Sequence, residues 1–416
     1  MYFLYNFFVY LAGFLIYLVS PFNKKIRLFR SGRRMVFSTL EEQLDSKDPV
    51  IWIHAASLGE YEQGLPLMEA LKVAYPGHQI LVTFFSPSGY EVKKNSAEAD
   101  LVTYLPMDTR VNCRRFLKLA NPSIAIFIKY EIWPNYLREL QKNNIPVVLV
   151  SAIFSKNQPY FRFYGGFMRT ALRKFDHLFL QDQKSTALLD SIGIKNHTLS
   201  GDTRFDRVME ILGQEKPQPL ISRFIQDKSC LVAGSTWPED EKLIVPYINN
   251  SDKQVKFILV PHDIKPAHIR NLTKSIKKTV VLYSQLSETQ DFDCSVLVVD
   301  SIGLLTSLYS FAQIAYVGGG FATGLHNTLE PAVYGIPVLI GPQFEGFREA
   351  EELVARKGIL TVTDKRSFRE TCDMLFEDQA LRKETGLINA SYIRNNVGAT
   401  SKIMAYLKEL LGTSKP

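Results

Sequence analysis

The chain has 416 residues, 46% hydrophobic and 22% charged, with a net charge of +7. The length suits two domains of ~100–200 residues each, and the composition is ordinary for a globular protein. The charge suits an acidic substrate or an anionic membrane surface and does not point to nucleic acid. Cys113, Cys230, Cys294 and Cys372 lie far apart without metal-ligand spacing, which reads as buried thiols in a reducing compartment.

Residues 2–19 carry no charge, and Asn6 is their one clearly polar side chain. Eighteen apolar residues are enough to span a bilayer core. Eleven of them are Phe, Leu, Ile or Val, worth about −5 kcal/mol together on an insertion scale. No positive segment precedes the run, so a cleaved signal peptide is not expected. Lys24, Lys25, Arg27, Arg30, Arg33 and Arg34 follow it. The positive-inside rule then keeps the bulk of the chain cytoplasmic. A membrane anchor with its basic segment is expected over 1–34, spanning the bilayer or lying in its interface; a buried core helix is the plainer alternative.

Short apolar runs then alternate with stretches of helical length. They fall at Val50–His54, Ile80–Phe85, Leu101–Leu105, Ile124–Ile128, Val147–Ser151 and Leu178–Gln181. After the polar, proline-containing stretch 213–219 the alternation restarts at Cys230–Ala233, Val255–Val260, Val280–Tyr283, Val296–Val299, Ile314–Val317, Val338–Ile340 and Leu360–Val362. Strand–helix alternation predicts an α/β fold with parallel, doubly wound sheets. Two Rossmann-like domains facing a cleft are expected, over 35–212 and 225–395, with a linker at 213–224 and a tail helix at 396–416. In such sheets ligands bind beyond the carboxyl ends of the strands.

The candidate motifs sit at those ends. His54-Ala55-Ala56-Ser57-Leu58-Gly59-Glu60 follows the first strand. Ser57 to Glu60 spells a capping box, while a carboxylate kept ionised by a helix start is also a candidate general base; the two roles are compatible. Lys129-Tyr130-Glu131 follows a buried strand, a costly place for charge unless paired or used; a surface ion pair is the bland alternative. Ser200-Gly201-Asp202-Thr203-Arg204 offers a tight turn and a planar cation suited to phosphate.

In the second half, Gly234, Ser235 and Thr236 offer backbone and hydroxyl donors to a phosphate or sugar. Pro261-His262 and Ile302-Gly303-Leu304 follow further strands. Gly318-Gly319-Gly320 reads as a phosphate-sized loop, since glycines let backbone N–H groups approach an anion closely. Asn327-Thr328-Leu329-Glu330 again looks like a cap, with Glu330 also placed to accept hydrogen bonds from ribose hydroxyls. There is no HExxH, no paired cysteine ligands, no G-x-S-x-G and no P-loop lysine. Zinc, serine and ATP hydrolysis are therefore disfavoured.

Taken in order, HAASLGE, KYEIWPN, GDTRFD, AGST, VPHD and YVGGGF…HNTLEP resemble the 3-deoxy-D-manno-octulosonic acid (Kdo) transferases, glycosyltransferases of the GT-B fold. The resemblance runs over most of the chain. It implies transfer of Kdo from CMP-Kdo to the lipid A precursor (lipid IVA) in lipopolysaccharide synthesis, at the cytoplasmic face of the inner membrane, inverting and without a metal. CMP-Kdo is then a co-substrate, no other cofactor is expected, and anionic phospholipid is a partner. The resemblance implies Glu60 as proton acceptor. It implies a CMP site formed by Pro261, His262, Ile302, Gly303, Leu304 and Asn327 to Glu330. The family usually has an acidic residue where this chain has Lys129, a lysine at Arg204 and an arginine at His262. The first two positions are held to stabilise the transition state. Arg204 keeps the cation, whereas Lys129 inverts the charge, which shifts weight to Glu131. A transferase or epimerase acting on a UDP-sugar, and a membrane-tethered binding module whose Glu60 only caps, share parts of this motif set.

Overall fold

The computed structural model describes residues 1–45, 47–213, 218–287, 293–321 and 324–412. The chain divides into two compact units, Met1–Arg207 with Val397–Pro416, and Val208–Asn396. Each carries one seven-stranded sheet, parallel at every pairing.

The strands of the first unit are β1 Val50–Ala55, β2 Gln79–Phe84, β3 Leu101–Tyr104, β4 Pro122–Ile128, β5 Val147–Ala152, β6 His177–Leu180 and β7 His197–Leu199, in the order β3-β2-β1-β4-β5-β6-β7. Parallel strands covered on both faces read as continuous apolar runs, and β1 and β5 are buried at every residue. Alternate side chains feed two cores. Trp52, Phe127 and Leu149 join Phe116 and Tyr136 on one face; Ile53, Ile126 and Val150 join Tyr61, Met68 and Leu71 on the other. The tail helix Ala399–Leu411 adds Ile403 and Leu407 to that second core. Asp206 fixes its start by accepting from the Gly398 and Thr400 N–H groups at 2.6 and 2.7 Å. The edge strand β7 was not among the expected runs: His197-Thr198-Leu199 is short and none of it is fully buried.

The strands of the second unit are β8 Ser229–Thr236, β9 Val255–Pro261, β10 Val280–Leu282, β11 Val296–Val298, β12 Ile314–Val317, β13 Val338–Ile340 and β14 Ile359–Thr361, in the order β10-β11-β9-β8-β12-β13-β14. Of the expected linker 213–224, residues 214–217 lie outside the described residues. The rest is more ordered than a linker: Gly213 ends the helix Thr203–Gly213, and Pro219–Ile225 is a helix that buries Ile221 and Phe224. Pro219 opens that helix at its first position, where its missing N–H costs nothing, and apolar side chains at helical spacing hold it down.

Both sheets reverse direction at one place. The chain winds outward from β1 to β3 and returns to β4 beside β1; it winds outward from β8 and returns to β12 beside β8. Such switch points open a crevice beyond the strand ends where ligands bind. HAASLGE and KYE follow β1 and β4. AGST ends β8, and the triple glycine follows β12.

Candidate active site

In the first unit, Glu60 lies in the first turn of helix Leu58–Ala74, and Ser57 caps that helix by accepting from the Glu60 N–H at 3.5 Å. The Glu60 carboxylate reaches back to accept the Ala56 N–H at 2.5 Å. The cap is therefore real. It does not decide the charge, however. Burial, and then the negative charge of Glu131, push the Glu60 carboxyl up to about 7; the Ala56 and Ser57 N–H groups and Lys129 pull the other way. The expectation that the helix start keeps this group ionised is thus corrected, because desolvation outweighs the helix end.

Glu131 is held rigidly. Its Oε2 accepts from Trp133 Nε1 at 2.8 Å and lies 3.1 Å from Nε2 of the fully buried His54. His54 Nδ1 lies 2.9 Å from both the Thr83 carbonyl and its hydroxyl, and Trp52 Nε1 donates to that hydroxyl at 2.8 Å. A hydrogen-bonded chain thus runs from the core to Glu131. Lys129 directly follows β4 with φ of 66°, a left-handed conformation unusual for a residue with a side chain.

Arg204 donates from Nη2 and Nε to Asp202 Oδ2 at 2.8 and 2.9 Å. Burial raises the Asp202 carboxyl, but the charge and hydrogen bonds of Arg204, with help from Lys129, hold it below its usual range. Burial, and then the charge of Glu60, push the Tyr130 hydroxyl up while Arg204 pulls it down, so these groups share one electrostatic neighbourhood. The structure therefore gathers Glu60, Lys129, Glu131 and Arg204 at the carboxyl ends of the strands within one unit. Asp202, His54 and Trp133 support them. His54 and Trp133 stood inside the quoted motifs; Trp133 bonds its near neighbour Glu131, whereas the partners of His54, Thr83 and Glu131, are distant in sequence and gave no local signal.

In the second unit the strand-end motifs are also brought together, with different roles. Trp237 stacks on His262 at 4.5 Å and 23°, and His262 lies 4.7 Å from His326. Trp237 Nε1 donates to His326 Nε2 at 3.0 Å. Burial, and then His262, push His326 down to about 4, so it is neutral at pH 7. Pro261 is buried, whereas His262, Ile302 and Gly303 are exposed and Leu304 is half-buried. Glu330 accepts from Asn327 Nδ2 and Thr306 Oγ1, both at 3.0 Å, which joins the short helix after residues 302–304 to Asn327–Glu330. Leu329 is buried, as is Thr328, whose hydroxyl has no hydrogen-bond partner among the described residues.

The glycine loop is not an open cradle. The Gly319 N–H is already donated to Asp240 Oδ2 at 3.0 Å, and its φ of 94° with a would-be Cβ 2.2 Å from the Gly324 carbonyl requires glycine. Asp240 also accepts from Tyr316 OH at 2.6 Å and the Trp237 N–H at 2.8 Å. A buried carboxylate beneath the loop opposes an anion at that N–H, so Gly319 is structural. Gly234 likewise makes room for Tyr309, whose hydroxyl would lie 2.0 Å from a Cβ. Thr236 is buried and donates to Glu241 at 3.2 Å. Of that strand-end triplet only Ser235, with φ of 51°, is half-buried and not buried. A groove of about 1390 Å³, lined among others by Tyr247, Lys253, Arg366 and Asp373, contains none of these residues.

The family model described as 3-Deoxy-D-manno-octulosonic-acid transferase (kdotransferase) matches residues 30–207. A 3-deoxy-D-manno-octulosonic acid transferase of Aquifex aeolicus is 30% identical over 324 residues, covering 76% of this chain and 83% of the relative. One of Chlamydophila psittaci is 26% identical over 350 residues, covering 82% and 80%. Among solved structures, a UDP-GlcNAc 2-epimerase from Neisseria meningitidis bound to UDP-GlcNAc superposes with a TM-score of 0.61 at 18% identity, covering 87% of this chain and 99% of that one. A glycosyltransferase from Rickettsia africae superposes at 0.57 and 12% identity, covering 88% and 100%. At these identities the likeness is one of fold, the GT-B arrangement of two Rossmann-like units.

Proposed function

The chain belongs to the 3-deoxy-D-manno-octulosonic acid transferase family and is a glycosyltransferase of lipopolysaccharide synthesis, and we propose that it moves Kdo from CMP-Kdo to the lipid A precursor with Glu60 as the general base. The observation that carries the mechanism is the Glu60 carboxyl, half-buried beyond the carboxyl end of β1 and pushed up to about 7 beside Glu131 and Lys129. A base is most effective when its pKa lies near the working pH, and such a group is worth ~10²–10⁴ in rate.

The acceptor's primary hydroxyl oxygen bonds to the anomeric carbon of Kdo as the bond from that carbon to the CMP phosphate breaks. The hydroxyl proton passes to Glu60, and CMP leaves with the electron pair. One direct displacement inverts the centre. Lys129 and Arg204 supply positive charge to the transition state. The Asp202 carboxylate fixes the Arg204 guanidinium by two hydrogen bonds, a geometry that preorganises it. These cations do the charge neutralisation, and no metal is invoked. Glu131, held by Trp133 and His54, tunes Glu60 rather than touching the proton.

Pro261, His262, Ile302–Leu304 and Asn327–Glu330 hold CMP. At His262, where the family usually carries arginine, the ring lies on Trp237, so a planar aromatic surface stands in for a guanidinium. Both Glu330 oxygens are oriented by Asn327 and Thr306, which suits a fixed acceptor for ribose hydroxyls. The apolar helix Tyr2–Val19, long and apolar enough to cross a membrane, attaches the enzyme to the cytoplasmic face of the inner membrane. The deciding assay combines purified protein, CMP-Kdo and lipid A precursor, with product mass read for added Kdo. Turnover with a UDP-sugar instead, or displacement of bound donor by UDP and not CMP, overturns the reading.

A further inference from the structure

We propose that the N-terminal helix lies flat on an anionic bilayer surface and does not cross the membrane. This rests on the membrane attachment proposed above and specifies its mode.

The helix Tyr2–Val19 is covered along one stripe only. Its half-buried positions are Tyr2, Tyr5, Asn6, Val9, Gly13 and Ile16, and every other residue from Met1 to Val19 is exposed. Those positions recur at three- and four-residue spacing, which is one face of a helix over its whole length. A helix standing out of the body into a bilayer would be covered at one end.

Polar contacts fix both ends to the first unit. Near the start, Tyr5 OH donates to Asp108 Oδ2 at 2.6 Å, and Asn135 Nδ2 donates to Asn6 Oδ1 at 3.0 Å. Asp108 is itself buried and accepts from the Asn135 and Tyr136 N–H groups at 3.1 and 3.0 Å. Past the far end, Arg30 donates to the buried Ser20 hydroxyl at 3.1 Å. Three residues on, Arg33 donates to the Leu105 and Phe85 carbonyls at 2.9 and 2.8 Å. An 18-residue helix is ~27 Å long, close to the thickness of the hydrocarbon core. Crossing would carry the Tyr5 end to the far side and break the Asp108 and Asn135 contacts.

The uncovered face identifies its partner. It presents Phe3, Phe7, Phe14 and Leu18, and Phe22 follows at 89% exposure. Phe163, 95% exposed, lies on the loop leading to Phe167, whose ring is 4.9 Å from Tyr2. A contiguous apolar surface of this kind is not left to water. Of the six cations from Lys24 to Arg34, Lys24, Lys25, Arg27 and Arg34 are exposed, and no acidic residue precedes Glu41. Aromatic side chains that enter the headgroup region beside a basic flank match an interfacial helix on anionic lipid. A second copy of the chain would bring like charges together instead.

The test uses full-length protein. Purified chain should float with vesicles of phosphatidylglycerol and phosphatidylethanolamine, and alkaline carbonate should release it from the membranes of expressing cells. The double variant Phe7→Glu/Phe14→Glu should lower the vesicle-bound fraction at least ~10-fold, and Phe163→Glu should lower it less, as buried apolar area sets interfacial affinity. All three positions face outward, so thermal unfolding should be unchanged. Carbonate resistance together with indifference to Phe163→Glu overturns the flat orientation while leaving membrane attachment intact. Absence of any vesicle or membrane association overturns attachment itself. A concentration-dependent dimer abolished by the double variant, without lipid binding, assigns the face to self-association and equally overturns the proposal.

Discussion

Glu60 stands at the start of helix Leu58–Ala74 and Glu330 at the start of helix Leu329–Ala332, three residues after Ser57 in one unit and after Asn327 in the other. Both sequences spell a capping signature. In the first unit the carboxylate takes backbone N–H groups, loses solvent and sits near a second carboxylate, so its proton affinity climbs into the neutral range. In the second, both oxygens are held by neutral side-chain donors. The difference separates an acid that exchanges a proton from one that holds a fixed position. A shared local signature therefore fixes where a carboxylate sits, and its surroundings decide what it does.

The sharpest way to break the comparison is to remove each charge in turn. Glu60→Gln should cut Kdo transfer by ~10²–10⁴, while calorimetric titration with CMP stays unchanged. Glu330→Gln should weaken CMP binding roughly tenfold, in line with the loss of a charged hydrogen-bond acceptor, and should recover much of its rate at saturating donor. If Glu330→Gln abolishes turnover at saturation and Glu60→Gln does not, the two roles are exchanged.

Asp240 provides a third acid in the first turn of a helix, Pro238–Asn250, and takes the structural role to its limit. Its carboxylate is buried and satisfied by Tyr316, Trp237 and Gly319. Asp240→Ala leaves those three donors without an acceptor and should cost about 3 kcal/mol. A denaturant midpoint unmoved by the substitution would show that the loop is held by something else.

Much of this was legible in the sequence because the physics was local. Buried parallel strands announced themselves as apolar runs, and Ser57 to Glu60 announced a helix start. The failures share a cause: each needed a contact remote in sequence. His197-Thr198-Leu199 pairs with β6 as an edge, and three half-polar residues carry no period. Gly318-Gly319-Gly320 looked like a phosphate loop; the space a side chain would take at Gly319 and Gly320 is filled by Gly324 and Gly341 backbone. Asp240 sits in Pro238-Glu239-Asp240-Glu241-Lys242, a charged stretch without a motif, yet it is fully buried. Glu60 was found, but its raised proton affinity was not, since its burial and then the approach of Glu131 arise only once β1 and β4 pair.

The same shift has a signature in stability. The folded Glu60 carboxyl binds its proton more tightly than the ordinary 4.5 of the unfolded chain. Its contribution is therefore present below pH 4.5 and is lost as pH rises through about 7. Glu60→Gln, which never ionises, should raise stability relative to wild type at pH 8 by about 2–3 kcal/mol and make little difference at pH 4. Equal effects at both pH values would place Glu60 in an ordinary solvated cap, like any other helix-start acid.

The smallest expected effect discriminates most finely. Because the base must be ionised, log kcat/KM should rise with unit slope below about 7 and level off above it. Glu131 raises that midpoint and Lys129 lowers it. Glu131→Gln should therefore move the acid limb to lower pH, and Lys129→Met to higher pH, each by roughly one unit or less at the effective dielectric of a half-buried pair. Both changes leave the hydroxyl-to-carboxylate proton transfer in place, so the high-pH plateau reports any additional role. For Lys129 a lowered plateau is expected, since its charge also serves the transition state. For Glu131 the plateau should hold, with only the midpoint displaced. Limbs that move in the opposite directions, or a midpoint that ignores both substitutions, would detach Glu60 from the rate and remove the contrast with Glu330.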